Sequence, residues 1–154
     1  MKKLPWIIAI FFFCTSATMA YMFILKGNVK TAEDGRQAIL LSQENKDFVL
    51  QEMRQFLSSV QQITEGAIEG DMDKIITAAN ISGGTVIEHT PPSLMRSMPI
   101  AFKKLGFDTH YKFDKIAEDA KTGIGKEHTL KQLNVMLSNC VACHSAYKIE
   151  LIKK

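Results

Sequence analysis

Apolar positions along the chain fall into one unbroken run and then four periodic stretches. Leu4 to Leu25 carries no charge over 22 residues, and the run ends at Lys26. Residues 26–36 are polar, contain two glycines and predict a linker. From Gln37 to about Ala67, the residues Val49, Met53, Phe56, Leu57, Val60, Ile63 and Ala67 recur at steps of three and four. That spacing places them on one face of a long helix, with Gly66 and Gly70 marking its end. Asp71 has the chemistry of an N-cap, and Met72, Ile75, Ile76 and Ala79 predict a shorter amphipathic helix that weakens at Ser82-Gly83-Gly84.

Thr90-Pro91-Pro92-Ser93 is a break, with Ser93 able to cap the next helix. A third helix carries Leu94, Met98, Phe102, Leu105, Phe113, Ile116, Ala117 and Ala120, with Pro99 tolerated or kinking in its first turns. Gly123 and Gly125 close it. A fourth runs from about Lys126 to Ile152, with Leu130, Leu133, Met136, Leu137, Cys140, His144, Tyr147 and Leu151 on one side. No segment predicts a strand. The expected fold class is all-α: an antiparallel up-down four-helix bundle over residues 37–154.

The first run sets the compartment. Met1-Lys2-Lys3 is a basic leader to an apolar segment, and Thr18 and Ala20 offer the small residues of a cleavage site. The apolar run continues past them through Tyr21-Met22-Phe23-Ile24-Leu25. As a helix it spans ~33 Å at ~1.5 Å per residue, against a hydrocarbon core of ~30 Å. Residues 1–25 are therefore a signal peptide or an N-terminal membrane anchor. We favour the anchor, a tether of residues 4–25 to the inner membrane. In both cases the leading lysines hold the N-terminus inside and the rest is exported to the periplasm.

Charge adds little beyond this. Without Lys2 and Lys3 the chain carries 17 basic and 16 acidic side chains. No basic stripe interleaved with aromatics appears, so no nucleic-acid partner is expected. No nucleophile–base pair, paired acids or phosphate loop is present either, and the expectation is a protein that is not an enzyme.

Cysteine usage concentrates at one place. Cys14 sits in the apolar run, behind three phenylalanines, as a small hydrophobe. Cys140-Val141-Ala142-Cys143-His144 forms a C-x-x-C-H sequence. Two thiols three positions apart can each add to one vinyl group of a haem, and the adjacent imidazole then reaches the iron. The pattern is that of c-type haem attachment, and with 3 Cys and 4 His in 154 residues a chance match arises about once in 700 such chains. A thioredoxin-like dithiol lacks its strand–helix context, zinc lacks a second ligand pair, and a disulfide within a helix would be strained. The predicted cofactor is one covalent haem c.

The motif's position, late in the fourth helix and followed by Ser145-Ala146-Tyr147-Lys148, resembles the cytochrome c prime family of four-helix haem proteins and its low-spin, methionine-ligated relatives. The resemblance covers about Gln37 to Ile152. It implies a haem inside the bundle, with a residue of the first helix approaching the face opposite His144. Counting back 13 residues from Gly66 puts Met53 there. Low-spin relatives bind iron through such a methionine. High-spin relatives leave the iron five-coordinate and bind small gases.

An arginine four residues before the distal position, common in high-spin members, is replaced here by Val49, and Arg54 follows Met53 instead. Cys140, Cys143, His144, Met53, Tyr147 and Phe56 are the expected haem contacts, with His144 and Met53 on the metal. His110 is the rival second ligand, and Gly106 predicts a close approach near the haem edge. Met95, Met98 and Met136 are expected off the haem face, and His89 and His128 in solvent. Function follows as a periplasmic one-electron carrier serving unidentified redox partner proteins. The alternative is a high-spin haem protein that binds or senses NO or CO. Family members often pair through their first two helices, so a homodimer is a further expectation of the resemblance.

Overall fold

The computed structural model describes residues 3–152, with Phe23 described by its backbone alone. The start of the basic leader, Met1 and Lys2, lies outside them. The apolar run forms helix α1 (Leu4–Ala20), which continues through π-helical turns over Tyr21–Lys26. None of α1 is buried, and Leu4–Lys26 is 23 residues of mean hydropathy 2.1, enough by length and composition to cross a bilayer. A signal sequence passes the same test. Gly27, at φ +65° and ψ −165°, turns the chain out of this segment. Only glycine suits the position, because a Cβ there would sit 2.6 Å from the Ser97 carbonyl and the Pro99 nitrogen. Asn28 N–H then donates to the Ser97 carbonyl at 2.8 Å.

The fold is not free of strands, contrary to the expectation from sequence. A three-stranded sheet is present, formed by β1 (Val29–Thr31), β2 (Gln37–Leu41) and β3 (Tyr147–Leu151) in the order β1-β2-β3. The β1 and β2 strands pair antiparallel, so the expected linker is partly a hairpin. Strands β2 and β3 pair parallel, with Gln37 opposite Tyr147 and Leu41 opposite Leu151. Gln37-Ala38-Ile39-Leu40-Leu41 is thus a strand and not the start of a helix, because a short apolar run fits either element and pairing decides between them. Tyr147 to Leu151 likewise leaves the last helix for the sheet.

The molecule is otherwise helical. Ser42 caps α2 (Gln43–Glu69), accepting from Asn45 N–H at 3.3 Å, and Gly70 at φ +78° ends it. Asp71 caps α3 (Met72–Ile81) through Lys74 N–H at 2.9 Å, as expected. A 3-10 turn (Gly84–His89) leads to the proline pair. The expected third helix is broken into α4 (Pro92–Ser97) and α5 (Ile100–Lys121), because Met98 takes the extended backbone favoured before proline. Ser93 does not cap α4; its hydroxyl donates to Asn45 Oδ1 at 3.1 Å, tying α4 to α2. Helix α6 (Lys126–Ala146) stops at Tyr147, whose extended backbone starts β3.

Two apolar cores result. One joins α2, α3, α5 and α6 around Ile63, Ile75, Phe113, Ile116 and Met136, all fully buried. Gly66 permits the close crossing of α2 and α3, since a Cβ there would lie 2.9 Å from the Asp71 carbonyl. The other packs the sheet on the start of α2 and on α4 through Ile39, Leu41, Val49, Leu94 and Met98.

Candidate functional site

The seam between these cores is where the chemistry-bearing residues meet. Cys140 and Cys143 lie three apart in the last turns of α6, which puts them on one face, and His144 comes one position later. Asn139 Nδ2 donates to Asp108 Oδ2 at 2.7 Å and to Thr109 Oγ1 at 3.3 Å, fixing this part of α6 to α5. Beyond it, Arg36 Nη1 donates to the carbonyls of His144 at 3.3 Å and Tyr147 at 3.5 Å. Asp34 orients that arginine through Nη2 at 2.7 Å and Nε at 3.0 Å. The end of α6 is thus gripped by a residue 108 positions away in sequence.

Cys140, Cys143 and His144 line a cavity of about 760 Å³, counting the solvent it opens to. Val49, Met53 and Phe56 of α2 form one wall, and Leu94, Met98, Phe102 and Leu105 form another. Gly106 also faces it, and a Cβ added there would meet nothing within 4 Å. A second recess of about 600 Å³ shares Met53, Phe102, Cys143 and His144 with the first, and adds Tyr147 with Arg36, Lys46 and Lys148. Met53 and His144 therefore border both spaces.

All six residues singled out from the sequence line one space or the other. Phe56 stacks on Phe113 with centroids 5.5 Å apart. Tyr147, though on β3 rather than a helix, meets Phe102 edge-on at 5.4 Å. Met95 and Met136 lie outside the cavity, but Met98 lines it, because the break at Pro99 turns the chain there. His128 is not simply solvated, since its Nε2 lies 3.1 Å from Asp119 Oδ2.

His110 is buried, 6% exposed, and its Nδ1–H donates to the Ser82 carbonyl at 2.9 Å. This bond fixes the tautomer, because a carbonyl only accepts. Its Nε2 has no hydrogen-bond partner among the described residues. Burial holds the imidazole below its ordinary range and so favours the neutral ring.

Two cavity residues escape sequence reasoning. Glu52, next to Met53, has Oε1 buried without a partner, and burial pushes its carboxyl up to about 7. Lys103 is 8% exposed, and burial holds its amine below the usual range. Nothing in their sequence context separates either from a solvated charge on a helix surface.

The thiols are free, and burial raises both. Cys143 is pushed up to about 11, mainly by burial and secondarily by the charge of Cys140. A dithiol built for redox exchange has its thiolate stabilised, the reverse of this arrangement. Among the described residues no cluster of three or more His, Cys, Asp or Glu is placed to hold a metal ion. The donor set, the imidazoles of His144 and His110 and the thioethers of Met53 and Met98 around an apolar space beside two thiols, fits a flat apolar group that carries its own metal. The open side of Gly106 and the unpartnered Glu52 oxygen fit the same kind of occupant.

Comparison with protein-family models, with curated proteins and with solved structures finds no match to this chain.

Proposed function

We propose that the chain is a c-type cytochrome that carries single electrons, with haem c bound through Cys140 and Cys143 and iron held by His144 and Met53. The observation that carries the proposal is the convergence of Cys140, Cys143, His144 and Met53 on one apolar cavity. When bound, the haem supplies reversible one-electron exchange. The residues supply the rest. His144 and Met53 would hold the iron, which would suppress ligand chemistry there, and the thioether donor would raise the potential. Val49, Phe56, Leu94 and Phe102 exclude water from the cofactor. Arg36 keeps the His144 end of α6 from fraying.

On this proposal α2, α3, α5 and α6 are the four helices of a bundle resembling the cytochrome c prime family, with the sheet as an addition. The N-terminal segment takes the domain across the inner membrane to the periplasm, where redox partner proteins meet it.

A second assignment of the distal ligand has its own support. His110 offers a neutral imidazole, oriented by Ser82, to the same cavity. Neutral imidazole held by a backbone carbonyl is the usual state of a metal-binding histidine. Absorption spectra of the purified protein in both oxidation states test the set. A low-spin spectrum converted to high-spin by Met53→Ala, with carbon monoxide then binding, supports the His/Met pair. Conversion by His110→Ala alone transfers the role to His110. A wild-type protein that is already high-spin and binds carbon monoxide makes gas binding or sensing the function instead. Haem released by acid-acetone extraction would overturn covalent attachment.

A further inference from the structure

A third recess, about 800 Å³ counting solvent, opens where the apolar N-terminal segment joins the rest of the molecule. Ile24, Thr90, Pro92, Met95, Arg96 and Lys103 line it. Lys103 is more than nine-tenths buried, and its ammonium has one partner, the Ile24 carbonyl, at a long 3.4 Å. Other well-placed cations in the molecule are neutralised: Arg36 by Asp34, Lys148 by Glu150, Lys74 by Glu65 and Glu69. Among the described residues, no carboxylate comes within salt-bridge distance of Lys103 or Arg96. A buried ammonium without an anion is costly, and the cost falls when an anionic group supplies one.

The recess has a defined height. Ile24 lies two residues inside the end of the 23-residue apolar segment, about 3 Å at ~1.5 Å per residue. In a bilayer this is the level at which the hydrocarbon core gives way to headgroups. Pro92 and Met95 provide apolar surface beside the two cations.

We propose that this recess binds the phosphate of an anionic phospholipid between Lys103 and Arg96 and so seats the globular part on the membrane. Its premise is that Leu4–Lys26 stays in the bilayer. The lysine exchanges its weak bond to Ile24 for a charge-assisted bond to a phosphate oxygen, which is shorter and stronger. Arg96, in the last turn of α4, adds a planar fork suited to two phosphate oxygens. Pro92 and Met95 meet the glycerol and upper acyl chain.

The test uses the full chain purified in an uncharged detergent, with N-terminal sequencing to establish that the apolar segment is retained. A chain that has lost the segment overturns the premise, whatever its lipid affinity. The retained chain is titrated with dihexanoyl phosphatidylglycerol, dihexanoyl phosphatidylcholine and inorganic phosphate, following thermal unfolding and 31P line width. The expected result is a rise in Tm of roughly 3–6 °C at saturating phosphatidylglycerol, with 31P broadening. Phosphatidylcholine has a much smaller effect. K103Q and R96Q lose the shift, K103R keeps part of it, and K104Q, changed at an exposed neighbour outside the recess, behaves as wild type. Equal stabilisation by inorganic phosphate would show a free-phosphate site and overturn the lipid assignment. No shift with any probe, or an undiminished shift in R96Q, overturns the site itself. R96Q alters an exposed side chain, so the test stands even where K103Q fails to fold.

Discussion

The buried thiols give a measurable rate. In a haem-free chain lacking residues 1–25, kept in the cytoplasm, Cys140 and Cys143 are the only cysteines. Burial is the first cause of the rise at Cys143, to about 11, and the charge of Cys140 is the second. At pH 7 a thiol of that acidity is ionised to about one part in 10⁴, whereas a free cysteine near 8.5 is ionised to about 3%. The thiolate is the nucleophile, and its ~300-fold lower fraction is offset roughly tenfold by the greater nucleophilicity of a more basic thiolate, so iodoacetamide should label Cys143 in the folded chain roughly 30 times more slowly than a free cysteine. The rate should climb about tenfold per pH unit and level off only near pH 11.

The linked stability has a definite sign. A thiol whose folded value is raised stabilises the fold below the unfolded value of about 8.5, and that contribution is lost as pH rises towards 11. Cys140→Ser removes the secondary cause, so Cys143 should speed up only slightly. Peptide mass spectrometry at fixed quench times reads both sites. Labelling of Cys143 at free-cysteine rates in folded protein at pH 7 would refute the burial argument. In the exported protein neither cysteine should label even after unfolding, since both sulfurs are thioethers on the proposed function. Labelling there would sink covalent haem attachment.

Packing and charge lead to three further expectations. Glu52→Gln in the haem-free chain should raise Tm above pH 7 and remove the loss of stability between about pH 4.5 and 7, since a raised carboxyl destabilises once ionised; pH-dependent melting decides it, and an unchanged pH profile counts against burial as the cause. Phe113→Ala removes a fully buried ring stacked on Phe56 and should cost about 3–5 kcal/mol by denaturant titration, so a loss under about 1 kcal/mol would mean the core closes around it. Gly27→Ala forces a Cβ against the α4–α5 connection in a backbone region closed to other residues, and should cost about 1–3 kcal/mol, with wild-type melting as the contrary result.

What the sequence disclosed depended on how local the information was. The C-x-x-C-H motif, the Asp71 cap and the Gly70 stop are each contained within a few residues, and the structure has the cap and the stop where the sequence put them. Periodicity puts Met53 only on the apolar face of the first helix, and it is the family resemblance that singles it out; it lines the cavity. The two segments of the sheet that periodicity assigns to helices differ in how legible they are. Residues 37–41 are apolar enough for either element, and their state is decided by a partner 110 residues further on. Residues 147–151 do carry a signal, since Tyr147, Ile149 and Leu151 alternate with Lys148 and Glu150 in the two-residue period of a strand. Glu52 and Lys103 are illegible because burial of a charge depends on what packs over it. Met98 reaches the cavity because Pro99 breaks a helix that periodicity alone carries straight through.

The parallel pairing of β2 with β3 also orders events in time. The strand after the C-x-x-C-H segment docks on one that precedes every helix of the globular part. Loop closure over that span is entropically slow, and the three-stranded sheet cannot be completed until the segment after His144 is available to pair with β2. Until then the grip of Arg36 on α6 is absent and the two cysteines are not yet held in their buried setting, where they ionise poorly. Latching of the last strand therefore marks the end of the interval in which those thiols can react freely.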